Sequence, residues 1–123
     1  MKTLGMTWVR GAVLVMAMVA RLCAAEWVSE SGGAGSFALA AEGRAAAVLI
    51  SENDFKAVSL AAADFASDVE RVSGVKPEVA TASDGLSGEI VIVGTLGKNP
   101  WIDALVAEGK LDVAGVRGQW ETF

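Results

Sequence analysis

The chain has 123 residues, a formal charge of −5 and 53% hydrophobic residues, which bounds it to one small domain. It holds no His and one Cys, so zinc-type sites and Ser-, Cys- or His-based hydrolytic machinery lack their usual ligands and base. Its acidic balance is the opposite of the basic footprint that binds nucleic acid or anionic membrane, and no cofactor or metal is implied.

The first 25 residues read as a secretory signal peptide. Lys2 and Arg10 form a positive n-region, Gly11 to Ala20 an apolar h-region, and Cys23-Ala24-Ala25 a small-residue cleavage site. The apolar run is too short to span a bilayer and is bracketed by Arg10 and Arg21, which argues against a membrane anchor. Ala20 and Leu22 do not suit a lipid attachment at Cys23. Cleavage after Ala25 removes three cations (Lys2, Arg10, Arg21) and no acid, moving the formal charge from −5 to −8. The only Cys leaves too, so the expected product is a secreted or periplasmic domain with no internal disulfide and no membrane contact.

Residues 26–36, rich in Gly and Ser, read as a flexible leader, and residues 37–123 as the folded domain. Phe37-Ala38-Leu39 and Ala46 to Ile50 are strand candidates, joined through a turn at Glu42-Gly43-Arg44 into a possible hairpin. Ser51 with Asp54 resembles a capping box opening a helix. Phe55, Val58, Ala62, Phe65, Val69 and Val72 then recur at steps of three and four, one continuous helical stripe. The alanines at 61, 62 and 63 permit close approach to a sheet, and Gly74 ends the helix. Val75-Lys76-Pro77 is extended, and Glu78-Val79-Ala80 reads as an edge strand. After a loop at 83–88, Glu89 to Val93 is β-branched and continuous, the pattern of a central strand buried on both faces.

Gly94 and Gly97 break that run, and Asn99-Pro100 reads as an N-cap with proline at the first helical position. The second helix carries Trp101, Ile102, Leu105 and Val106 on one side and stops at Gly109, beside Lys110. Gln119 to Phe123 alternates like a strand that the chain leaves in mid-course. The expected class is α/β (α+β), a small mixed sheet with two helices in the order β-β-α-β-β-α-β, the last strand incomplete.

Strand, tight loop and helix start is where open α/β sheets place functional groups, which singles out Gly94 to Lys98. The spacing is wrong for a phosphate-binding P-loop: two residues, not four, separate Gly94 from Gly97-Lys98, and Asn99 follows. A weaker possibility is a helix N-terminus with free N–H groups and the Lys98 charge, able to take an anion such as a uronic acid carboxylate. On that basis Thr95, Gly97 and Lys98 are the candidate substrate-binding residues; the alternative is a turn that only packs strand against helix. Paired carboxylates mark glycoside hydrolysis, but Asp64, Asp68 and Glu70 fit a solvated helix face, with Asp68–Arg71 and Glu52–Lys56 as surface ion pairs, so no catalytic residue stands out. Trp101 and Trp120 lie on apolar-patterned segments and suit a core; Trp27 lies in the leader.

Three ordered segments resemble the N-terminal domain of glycoside hydrolase family 115. They are Asp54-Phe55 through Ala62-Ala63-Asp64-Phe65 to Asp68-Val69-Glu70-Arg71-Val72-Ser73-Gly74-Val75-Lys76-Pro77, then Ile90 to Pro100 with Ile102-Asp103, then Gly109 to Val113 through Gly118 to Phe123. The resemblance implies a secreted bacterial xylan α-1,2-glucuronidase that removes glucuronic or 4-O-methylglucuronic acid branches. It also implies that the catalytic carboxylates belong to a downstream (β/α)8 barrel, so the chain is expected to be a truncated, non-catalytic accessory domain. Glucuronoxylan would then be met through that barrel. A stand-alone carbohydrate-binding or structural module and an inactive remnant are the rival readings.

Overall fold

The computed structural model describes residues 28–30 and 32–119. Residues 1–25, expected to be a signal peptide with its cleavage site, Trp27, Trp120 and the rest of the strand candidate beyond Gln119 lie outside the described residues. The chain divides into two units, Met1–Gly33 and Ala34–Phe123.

The second unit has the α/β class expected of it, with two helices and two small sheets. Strands β1 (Ala40–Ala41) and β2 (Arg44–Ala45) form an antiparallel hairpin. Its turn residues Glu42 and Gly43 have φ of 52° and 74°, the positive values that a tight two-residue hairpin loop demands. Strands β3 (Ala47–Leu49), β4 (Val79–Ala80) and β5 (Ile90–Ile92) form a parallel sheet in the order β4-β3-β5. Helix α1 (Lys56–Ser73) joins β3 to β4, and helix α2 (Pro100–Ala107) follows β5.

The element order is therefore β-β-β-α-β-β-α over the described residues, and the strands do not share one mixed sheet. Phe37-Ala38-Leu39 is not a strand; Phe37 is exposed, and Leu39 only accepts a 2.9 Å hydrogen bond from the Ala46 amide. The physical reason is competition. Both edges of β3, the expected hairpin partner, are taken by β4 and by β5, so residues 37–39 cannot pair with it, and the hairpin closes on residues 44–45 instead.

The same arrangement corrects the choice of central strand. β3 lies in the middle, with Val48 and Leu49 almost fully buried, whereas β5 lies outside it and is only half-buried. In register, Val48 faces Val79 on one side and Val91 on the other, and Leu49 faces Ala80 and Ile92. Val48, Ile50 and Ala62 form the core, with Val58, Phe65, Val91 and Val93 packed against it.

Helix α1 begins five residues after Ser51. Phe55 stands at its N-cap with no side-chain cap bond. The expected capping box does not form, because Ser51 Oγ accepts from the Asn53 amide at 3.2 Å and the Asp54 carboxylate is drawn across to another loop. The stripe holds in its middle: Ala62 and Val69 are buried, Val58 and Phe65 half-buried. Of the three consecutive alanines only Ala62 is buried, and Ala66, one turn on, is buried beside it. At the ends Phe55 and Val72 are exposed, Val72 by 91%. An 18-residue helix is about 27 Å long, while a three-residue strand covers about 10 Å, so the helix overhangs the sheet.

Gly74 ends α1 at φ 76°, its amide donating to Glu70 O at 2.8 Å. A side chain there meets no neighbour, so Gly74→Ala tests backbone conformation alone. It is expected to cost about 1 kcal/mol in urea denaturation. Helix α2 closes as anticipated near Gly109. The Lys110 amide reaches Leu105 O at 2.9 Å and the Gly109 amide reaches Val106 O at 3.1 Å, the paired bonds of a Schellman stop.

Candidate functional site

The loop between β5 and α2 carries the three residues singled out for substrate contact, and its local chemistry explains its shape. Asn99 is fully buried and serves three partners. Its Oδ1 accepts from the Trp101 and Ile102 amides, both at 3.1 Å, and its Nδ2 donates to Val93 O at 3.2 Å. It therefore caps α2 and ties that cap to the end of β5. Pro100 follows at the first helical position, where a missing N–H costs nothing. Between them the chain turns tightly, with the Lys98 and Asn99 amides both donating to Thr95 O at 3.0 Å.

Two carboxylates brace this turn. Asp54 Oδ2 accepts from the Thr95 amide at 2.7 Å, and Asp103 Oδ1 accepts from the Gly97 amide at 2.8 Å. Gly97 has φ 79°, a conformation that glycine adopts freely. Lys98 projects its ammonium 4.5 Å from the centre of the Phe55 ring, a cation–π contact. Asn53, Gly97, Lys98, Pro100 and Asp103 line an open depression of about 390 Å³ beside it.

Thr95, Gly97 and Lys98 thus share one loop, but the amides of Thr95 and Gly97 already have anionic partners from the chain itself. The amides of Trp101 and Ile102, at the start of α2, are occupied by Asn99. The Lys98 side chain is the group of the three that remains turned to a ring and solvent.

Three participants are not legible as such: the sequence places Asp54 in a helix cap, Phe55 on the core stripe, and Asp103 only within the segment that resembles family 115. Only Asp103 had a usable signal, an acid in the first turn of a helix, where the dipole favours negative charge.

Partial desolvation raises the Asp54 carboxyl. Hydrogen bonds from the Thr95 side chain and amide and from the Phe55 amide, with the Lys98 charge, outweigh it and hold the group below the usual Asp value. A depressed carboxylate stabilises the fold above its unfolded value near 3.8, and the contribution disappears as pH falls through the lower folded value. Acid titration of stability should therefore show a loss starting just below pH 4 that is reduced in Asp54→Asn. An identical acid limb in both proteins would refute this linkage.

Elsewhere, Asp68 pairs with Arg71 at 2.9 Å as its spacing predicts, and Glu70 pairs with Lys76 at 3.2 Å. Both are exposed pairs of small stabilising value. Glu52 and Lys56 are not an ion pair. Glu52 lies ahead of the helix and accepts instead from Thr81 Oγ1 at 2.9 Å. Trp101 is half-buried on α2. Among the described residues no cluster of three or more His, Cys, Asp or Glu is placed to hold a metal ion, and no helix is long and apolar enough to cross a membrane. No protein-family model matches the chain, and no curated protein matches it.

Proposed function

We propose that residues 37–123 are the N-terminal, non-catalytic domain of a secreted glycoside hydrolase resembling the xylan α-1,2-(4-O-methyl)glucuronidases. Its role is to support the barrel that removes glucuronic acid branches from glucuronoxylan. The reading rests on the three ordered segments from Asp54 to Phe123 that resemble family 115. The observation in the fold that supports it is the use made of the two site carboxylates. Asp54 and Asp103 each accept from a loop amide, which is bracing work rather than proton transfer. The test is the coding sequence beyond the Phe123 codon. A frame continuing into a (β/α)8 barrel is the expected result, and a stop codon there overturns the reading.

Within this reading Thr95, Gly97 and Lys98 form part of the wall of the substrate cleft, and Lys98 is the residue that meets the uronate carboxylate. Lys98→Ala in the full-length enzyme is expected to raise KM about two- to fivefold with kcat unchanged, the scale of one exposed charge pair. Unchanged kcat and KM would remove the loop from the cleft.

A stand-alone carbohydrate-binding module is the second reading. The observation that favours it is Phe55, an exposed residue whose ring lies 4.5 Å from the Lys98 ammonium and offers its free surface for stacking on a sugar. Titration with an aldouronic oligosaccharide separates the two. Amide shifts at Thr95, Gly97 and Lys98 in the protein without a barrel support the module, and their absence supports the accessory role.

A further inference from the structure

We draw no further inference here: the strongest candidate, the half-buried apolar strand β5 at the edge of the parallel sheet, carries nothing because nothing in the structure shows what covers it.

Discussion

Asn99→Ala is expected to lower the unfolding free energy by about 2–4 kcal/mol, the larger of the two effects centred on this loop. Two losses combine. Removing Oδ1 uncaps α2 and leaves the Trp101 and Ile102 amides without their acceptor. Loss of an N-cap costs about 1 kcal/mol. Removing Nδ2 takes the donor from Val93 O, a part-buried acceptor, and leaving such an acceptor unpaired costs about 1–3 kcal/mol more. In a domain of this size the sum corresponds to a fall in Tm of about 10 °C or more. Asn99→Asp separates the two losses, because it keeps the cap acceptor and replaces the Nδ2 donor with an oxygen facing the Val93 carbonyl. It should therefore still be clearly destabilised in urea denaturation although its cap is intact. If both variants fall within about 0.5 kcal/mol of the parent, Asn99 is not the junction between β5 and α2 described above.

Gly94→Ala is expected to cost about 1–3 kcal/mol for a different reason. The backbone at Gly94 is not in the left-handed region, so conformational freedom is not at issue. The obstacle is space: an added Cβ would sit 2.7 Å from Asn99 Cβ and 2.8 Å from its Cγ, and it would also meet Nδ2. Asn99 cannot swing aside without giving up three hydrogen bonds. The two positions must therefore couple. In an Asn99→Gly background the obstructing side chain is gone, and the further cost of Gly94→Ala should shrink to a few tenths of a kcal/mol. Additive effects of the two substitutions would show that the close approach of Gly94 to Asn99 is not what requires glycine.

These two residues also show how much was legible in advance. Asn99 followed by Pro100 announces a helix start through its own backbone chemistry, and the cap lies at that position. In the sequence Gly94 is one of two glycines that break the β5 run, but its constraint comes from a side chain five positions on, folded back against it. The helical stripe from Val58 to Val69, the Gly74 and Gly109 stops and the Asp68–Arg71 pair were all legible, because each depends on neighbours within a turn or two of chain. The late start of α1 was not. It follows from Asp54 bonding a backbone amide 41 residues away, and no local pattern encodes that partner.

The strands divide along the same line. Ala46 to Ile50 and Ile90 to Val93 are both short apolar runs, and either could be central. Residue composition cannot choose, since what decides is which strand finds a partner on each edge. Only the pairing of β3 with both β4 and β5 makes it the buried centre, and that same pairing denies Phe37 to Leu39 the expected hairpin partner. Short-range chemistry along the chain thus determined where helices begin to repeat and end, and that the class is α/β. Tertiary structure decided strand order, the 41-residue Asp54 brace and the Asn99–Gly94 fit, because each is a contact between segments whose separation no local periodicity records.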